Sequence, residues 1–381
     1  MDFSWSEEQQ AYKKAVIDFA QGELAEGVAE RDSQSDFSRA WWKKCAEFGI
    51  QGLPMPEEFG GANADILTTM LTMEGLGYGC PDGGLVFSLN AQLWSVQTPI
   101  LHFGSPEQQQ RFLPGLSQGD LIGAHAMSEP DSGSDAYALR TTARREGEGY
   151  VLNGSKTFVT NAPVADVTLV FANANPERGM WGISAFLVEK GTPGFRVGAP
   201  ISKMGLRTSP MAEVFLQDCF LPAENRLGPE GVGAKIFDHS MEWERACILA
   251  CQIGAMERQL ERTIAYARER KQFGQAIGKF QSVANRIVDM KVRLETARLI
   301  LYKVAWLKKE GRQAKLEAAL AKLYLGEAYV QSSLDAIRVH GGYGYMTEFE
   351  IERGLRDAVG GTLYSGTSDI QRNIIARLMG L

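Results

Sequence analysis

The stretch Met256-Glu-Arg-Gln-Leu-Glu-Arg-Thr-Ile-Ala-Tyr-Ala267 sets the architecture of the C-terminal third of the chain. Its apolar residues recur three or four positions apart, the spacing of one helix face, at Met256, Leu260, Ile264 and Ala267. The same spacing returns at Ile287, Met290, Leu294 and Ala297. All 14 prolines lie at or before Pro229, and proline interrupts helix interiors because it lacks an N–H and clashes with the preceding turn. Residues 231–381 are therefore predicted to form an all-α domain of long helices.

Toward the N-terminus the pattern changes twice. Residues 1–120 are expected to be mainly helical, with a capped helix start at Ser6 and a further helix over residues 41–47. Between 121 and 230, β-rich runs at 149–154, 166–172, 182–188 and 214–216 are separated by turn residues such as Asn153-Gly154 and Thr192-Pro-Gly194. This middle domain is predicted to be a small antiparallel β-barrel or sandwich. The fold class is therefore α+β, with helical, sheet and helical domains in order.

Composition excludes several classes of protein. The net charge is −6 and no dense cluster of Lys and Arg is present, which argues against a nucleic-acid partner. No run approaches the ~20 apolar residues of a membrane span, and the first eight residues lack the basic and apolar regions of a leader. The five cysteines include no Cys-x-x-Cys pair, and Cys247 and Cys251 are interpreted as packing residues. These features fit a cytoplasmic protein.

Motif searches remove the common enzyme classes. No Gly-x-Gly-x-x-Gly follows a predicted strand, and neither a Walker A loop nor a His-Glu-x-x-His sequence occurs. The four histidines show no metal-ligand spacing, so no metal site is expected. Residues 115–119 match a Gly-x-Ser-x-Gly string by letter, but the preceding segment is typical of a helix rather than of the strand that a hydrolase nucleophile requires. Nicotinamide enzymes and serine hydrolases are therefore disfavoured.

Several short motifs point to one family when they are taken together. They are Met127-Ser-Glu-Pro-Asp-Ser-Gly-Ser-Asp135, Asn153-Gly-Ser-Lys-Thr-Phe-Val-Thr-Asn161, and residues 56–61, 203–209, 268–274 with Gln281, 340–344 and 366–372. Each is weak alone, but in this order they resemble the acyl-CoA dehydrogenase family over essentially the whole chain. The resemblance implies a strand and turn at 203–209, a C-terminal four-helix bundle, FAD as the cofactor, and oxidation of the α,β bond of an acyl thioester.

The resemblance also implies which residues bind FAD. Those expected to line or cover the flavin, or to hold the rest of the cofactor, are Met127, Ser128, Ser134, Phe158, Thr160, Arg338, Gly341, Gly342, Thr367 and Asp369. Three more, Arg270, Phe273 and Gln281, are expected to reach the FAD of a neighbouring subunit. A shared cofactor implies at least a dimer, and the family is usually tetrameric. Electron-transfer flavoprotein or another acceptor is the implied redox partner.

The catalytic base is where the sequence departs from many family members. They place a glutamate immediately before Gly-Thr in the C-terminal motif, and that position is Ser365 here. Since serine cannot take the α proton, either the protein is inactive in this chemistry or the base comes from elsewhere. A minority of the family carries a glutamate before an arginine on a C-terminal-domain helix, which matches Glu244-Arg245. The residues one turn from Glu244 are mostly apolar, so its pKa should be raised toward neutrality, whereas Glu242 has Arg245 at i+3 and is interpreted as a solvated pair.

The sequence leaves three hypotheses about the function. Residues 241–246, Phe158, residues 161–166 and 365–369 resemble the family's prolyl–carrier-protein dehydrogenases, which implies an aminoacyl or short acyl group on a carrier protein. The segment 205–210 lacks a cysteine expected in that subgroup, which keeps a short- or branched-chain acyl-CoA dehydrogenase open. The third hypothesis is a non-catalytic flavin-binding member of the family. Ser134 and Arg245 are the expected substrate contacts.

Overall fold

The computed structural model describes residues 4–381, so Met1 to Phe3, which belong to the segment expected to lack a leader, lie outside it. The N-terminal helices are α1 (Glu7–Glu23), α2 (Val28–Gln34), α3 (Arg39–Glu47), α4 (Ile66–Gly79), α5 (Gly83–Gln92), α6 (Thr98–Phe103) and α7 (Pro106–Ser117). The predicted cap of α1 is confirmed, because Ser6 Oγ accepts from the Gln9 N–H while the Gln9 side chain bonds the Ser6 N–H. The helix predicted over 41–47 is the greater part of α3.

The middle of the chain forms one mixed sheet. Its strands are β1 (Gly123–Ala126), β2 (Thr142–Glu146), β3 (Gly149–Thr160), β4 (Val167–Asn173), β5 (Ile183–Glu189), β6 (Phe195–Pro200), β7 (Met211–Pro222) and β8 (Arg226–Leu227). The order is β6-β7-β3-β2-β4-β5-β8, and β1 pairs with β4 in parallel. The long pairings β3–β7 and β4–β5 are antiparallel. Alternate residues of β4 enter two different apolar clusters, as the period of a strand requires.

Two local predictions in this region were wrong. Asn153-Gly154 is not a turn between strands but a bulge inside β3, where Gly154 pairs with Leu216 of β7 and a side chain at position 154 would overlap Thr141. The segment 203–209 holds a turn but no strand. The turn at Thr192-Pro-Gly194 is confirmed between β5 and β6.

The C-terminal part is helical, as predicted. Its elements are α8 (Gly233–Cys247), α9 (Ala250–Glu269), the hairpin β9 (Lys271–Gln272) and β10 (Gln275–Ala276), α10 (Gln281–Lys309), α11 (Lys315–His340), α12 (Gly342–Tyr345), α13 (Ile351–Gly360) and α14 (Ser368–Leu378). Met256, Leu260, Met290 and Leu294 are buried in one apolar cluster that also contains residues of α1 and α4. The first and last thirds of the chain therefore share a core, and the predicted order of helical, sheet and helical regions is confirmed.

Helices α4 and α9 cross backbone to backbone. A side chain at Gly77 would overlap the Cys251 carbonyl, and one at Gly254 would overlap the Glu74 carbonyl. Only glycine permits so close an approach. Cys251 is buried, and so is Cys247, which confirms both as packing residues. Among residues 4–381, no helix is both long and apolar enough to cross a membrane.

Candidate active site

Glu244 lies on α8 inside the protein, with part of its surface open. Its two carboxylate oxygens each accept one hydrogen bond from a serine: Ser365 Oγ donates to Oε1 at 2.5 Å, and Ser95 Oγ donates to Oε2. No cation within residues 4–381 forms an ion pair with it. Burial raises the pKa of Glu244, while the two hydroxyl groups and the charges of Arg245 and Lys322 oppose that rise. A carboxylate in this setting is suited to accept a proton near neutral pH.

Ser95 is a site residue that sequence reasoning missed. It lies in a π-helical turn, Leu93–Gln97, between α5 and α6, and is 3% exposed. A π turn adds a residue to a helix and re-aims the side chains that follow it, and such turns are frequent at functional sites. The surrounding sequence reads as ordinary helix, so nothing in it marks the position of this serine.

The neighbours of Glu244 on α8 differ from the prediction. Glu242 does not pair with Arg245 in solvent; it bonds Lys308 Nζ of α10 at 3.2 Å, and the Lys308 side chain is only 4% exposed. The Arg245 guanidinium lies within the protein, and its Nε has no hydrogen-bond partner among the described residues. Burial lowers the pKa of Arg245, opposed by the nearby charges of Asp238 and Glu244. An unpartnered buried donor beside the carboxylate is a candidate substrate contact.

A cavity lies next to the start of α9 and to Tyr364, the residue that precedes Ser365. Ile248 and Gln252, four and eight residues beyond Glu244, line it together with Phe87 and Tyr364. Tyr364 precedes Ser365, and burial together with the Glu244 charge raises the pKa of its phenol. Gln252 Nε2 donates to the Tyr364 hydroxyl at 2.7 Å. The other end of that amide, Oε1, is buried without a partner in residues 4–381. Gln252, which lines the cavity, therefore has an unused hydrogen-bond acceptor close to Tyr364.

The predicted flavin residues form two groups. The first joins the end of β1 to β3: the Thr157 N–H donates to Ser128 O at 2.9 Å, and Lys156 Nζ donates to Met127 O at 3.1 Å. Phe158, on the same segment, has φ of 56° and is 65% exposed, and Thr160 is half-buried. Ser134 is exposed in the loop that follows β1. Together these residues form an open surface, partly apolar and partly polar, which is called the ledge below.

The other predicted flavin residues lie in the C-terminal part of the chain, several of them at the end of α11. Arg270, Gly341 and Gly342 line one open cavity, in which a side chain at either glycine would meet nothing within 4 Å. Phe273, in the β9–β10 hairpin, is 93% exposed. The remaining members are exposed or half-buried: Gln281 opens α10, Arg338 bonds Asp335, Thr367 caps α14, and Asp369 pairs with Arg372. The two groups share no hydrogen bond within residues 4–381.

Both groups fit a large planar cofactor with a charged tail. The ledge offers an exposed aromatic ring, Phe158, beside the polar atoms of Ser128 and Thr160. The cavity at Gly341 offers bare backbone and the guanidinium of Arg270, a group that pairs well with phosphate.

Sequence profiles identify the family. Those of the N-terminal, middle and C-terminal domains of acyl-CoA dehydrogenase match residues 6–120, 124–219 and 231–380. The chain therefore belongs to the acyl-CoA dehydrogenase family.

Relatives within the family cover the whole chain. An L-prolyl peptidyl-carrier-protein dehydrogenase from a Serratia species is 45% identical over 381 residues, 100% of this chain and 99% of the relative. The crystal structure of the prolyl acyl carrier protein oxidase AnaB has a TM-score of 0.98 at 52% identity and covers 99% of this chain and 100% of its own. The structure of PigA with FAD and proline has a TM-score of 0.98 at 45% identity, with full coverage of both chains.

Proposed function

We propose that this protein is an FAD-dependent dehydrogenase that oxidises the α,β bond of an aminoacyl, prolyl-like thioester on a carrier protein. The observation that carries the proposal is the Glu244 carboxylate, which accepts from Ser365 and Ser95 and has no cation partner among residues 4–381. Near it, Tyr364 and Gln252 line a cavity, and the Gln252 Oε1 atom has no hydrogen-bond partner within the same residues. The prolyl-carrier enzymes to which the chain is 45% and 52% identical support the same substrate class.

Glu244 is assigned the role of base. Its carboxylate takes the proton from the α carbon, and the raised pKa produced by burial makes it a stronger base than an exposed glutamate. When bound, FAD supplies the hydride acceptor for the hydrogen that leaves the β carbon, at its N5 atom. Arg245 and Ser134 are assigned to the substrate, since Arg245 Nε is buried with no hydrogen-bond partner in residues 4–381 and the Ser134 side chain is exposed.

The two groups of predicted flavin residues are assigned to FAD. Met127, Ser128, Phe158 and Thr160 would hold the ring system on the ledge. Arg270, Gly341 and Gly342 would hold the diphosphate region, with Arg270 as its cation. The more exposed members are assigned to the rest of the cofactor and to the subunit contact: Ser134, Phe273, Gln281, Arg338, Thr367 and Asp369.

The substrate class is tested by mixing the purified, flavin-loaded protein anaerobically with three thioesters. They are a prolyl group on a carrier protein, a butyryl group on the same carrier, and butyryl-CoA. We expect the visible flavin absorbance to bleach fastest with the prolyl carrier. Bleaching with butyryl-CoA alone would transfer the proposal to a short-chain acyl-CoA dehydrogenase. A loaded protein that bleaches with none of the three would favour the non-catalytic hypothesis.

We expect Gln252 to form a hydrogen bond with the substrate nitrogen. Gln252→Leu should lower the second-order rate of flavin bleaching with prolyl-carrier by about tenfold, the loss typical of one hydrogen bond to a charged or polar group. The rate with cyclopentanecarbonyl-carrier, which has the same ring size and no nitrogen, should not fall. Gln259→Leu is the matched control, because that amide lines the same cavity but already bonds Ser333 at 3.1 Å. An unchanged ratio of the two rates in Gln252→Leu would remove Gln252 from substrate recognition.

We further propose a homo-oligomer, at least a dimer, that acts in the cytoplasm. Exposed apolar side chains such as Phe273, Val288, Val292 and Leu299 support association, and the five cysteines, all free and buried, suit a reducing compartment. Electron-transfer flavoprotein or another acceptor reoxidises the flavin. Sedimentation of the purified protein measures the assembly, and a monomer that retains FAD would contradict a cofactor shared between subunits.

A further inference from the structure

We propose that Ser95 and Ser365 are positioning residues that hold the Glu244 carboxylate ionised and in one orientation until the acyl thioester arrives. The proposal rests on the assignment of Glu244 as the base. Position 365, which carries the base itself in many family members, would here supply a hydrogen-bond donor to a base that stands on another helix.

The two serines approach the carboxylate from different parts of the fold. Ser365 Oγ, in the turn before α14, donates to Oε1, and Ser95 Oγ, in the π-helical turn, donates to Oε2. A donor bonds an ionised carboxylate more strongly than a neutral one, so this pair favours the charged form. With one donor on each oxygen, the carboxylate group also cannot rotate without breaking a bond.

The turn that carries Ser365 has a strained backbone, and hydrogen bonds from two side chains hold it in place. Ser365 has φ of 55°, a left-handed conformation that costs energy for any residue with a side chain. Gln371 Nε2 donates to the carbonyls of Ser365 and Gly366 at 3.1 and 3.0 Å. From α11, Lys322 Nζ donates to Gly361 O at 2.8 Å. Strained residues persist where the surrounding structure over-determines them, and they cluster at active sites. In this turn the strained conformation directs the Ser365 hydroxyl group toward Glu244.

The charged surroundings leave the hydroxyl groups as the direct partners of Glu244. On α8, Arg245 faces it without a bond, Glu242 is paired with Lys308 of α10, and Asp238 accepts from Tyr137. Lys322, on α11, acts on Glu244 only through its charge. The phenol of Tyr364, in the turn before α14, accepts a hydrogen bond from Gln252. Within residues 4–381, the two serines are the only side chains that donate a hydrogen bond to this carboxylate.

The test is the pH dependence of anaerobic flavin bleaching by prolyl-carrier in Ser365→Gly and Ser95→Ala. Glycine adopts a φ near +55° without strain, so Ser365→Gly removes the hydroxyl group and relaxes the backbone together. Loss of a donor raises the pKa of Glu244 and leaves more of it protonated at low pH. The acid limb of the second-order rate should therefore move to higher pH by about one unit, which is about tenfold in rate below the limb.

Controls separate positioning from general damage. Ser95→Thr keeps a hydroxyl group and should keep the acid limb of the wild-type protein. Thr362→Val removes a hydroxyl whose one hydrogen bond within residues 4–381 is donated to Val359 O, and it should leave the limb in place. The titrating amine of the substrate is common to all variants. A uniform loss of rate with an unmoved limb in both serine variants would overturn the proposal. A wild-type protein that does not bleach with any thioester would instead sink the proposed function.

Discussion

Glu244→Gln is expected to reduce the rate of anaerobic flavin bleaching by prolyl-carrier by about a thousandfold, within the range typical of a lost general base. The amide keeps the size and the hydrogen-bonding positions of the carboxylate but cannot accept the α proton. Because Ser95 and Ser365 donate to both oxygens of Glu244, one of them would face the amide NH₂ group, a local cost that should not affect FAD binding. The visible spectrum and the FAD content should therefore match those of the unsubstituted protein.

Glu242→Gln is the matched control for this experiment. It makes the same chemical change two residues away on α8, at a carboxylate that bonds Lys308 rather than either serine. Its bleaching rate should stay within a few-fold of the unsubstituted protein. Bleaching by Glu244→Gln at the unsubstituted rate would show that another group removes the proton, and the assignment of Glu244 would fail.

Lys156→Met is expected to cost about 3–5 kcal/mol of unfolding free energy, the usual cost of breaking a buried ion pair. Lys156 Nζ lies 2.7 Å from Glu129 Oε1, and the two side chains are 0% and 4% exposed. The carboxylate would retain the backbone N–H groups of Arg140 and Thr141 as donors but would lose its only cation partner among residues 4–381. Denaturant unfolding, followed by far-UV circular dichroism, measures the change.

The double variant Glu129→Gln with Lys156→Met isolates the electrostatic part of that loss. Without the buried negative charge, a large share of the stability should return, although the bond from Lys156 to Met127 O remains absent. A double variant as unstable as Lys156→Met would show that packing, rather than the unpaired carboxylate, dominates. Since Met127 and Ser128 are proposed to hold the flavin, FAD retention should follow the same order as stability.

Much of the fold could be predicted because it depends on patterns that are local in sequence. Apolar spacing around Leu260 and Leu294, together with the absence of proline after Pro229, suffices to predict long helices, since both act within one or two turns. The bulge at Asn153-Gly154 could not be predicted in this way. A two-residue pattern typical of a hairpin turn is overridden there by pairing with β7, whose residues are about sixty positions away.

The site residues also differ in whether their roles depend on nearby or on distant parts of the chain. Glu244 was singled out by the family resemblance, and its mostly apolar face could be read from residues one turn away. The partner of Glu242, Lys308, lies 66 positions along the chain and could not be found in this way. Ser95 and Gln252 were missed because a serine or a glutamine in a helical segment carries no mark of burial. Their roles depend on a π-helical turn and on an amide whose second end finds no partner, and both features exist only once the chain has folded.

The crossing of α4 and α9 limits how this enzyme can evolve toward other substrates. Gly77 and Cys251, which touch at the crossing, both line the cavity that Gln252 and Tyr364 also line. Gly77 has no side chain left to shorten, so mutation at this position cannot widen the cavity, and any larger residue there would push the two helices apart. Selection for bulkier acyl groups must therefore act on side chains such as Phe87 and Ile248, while Gly77 stays constant.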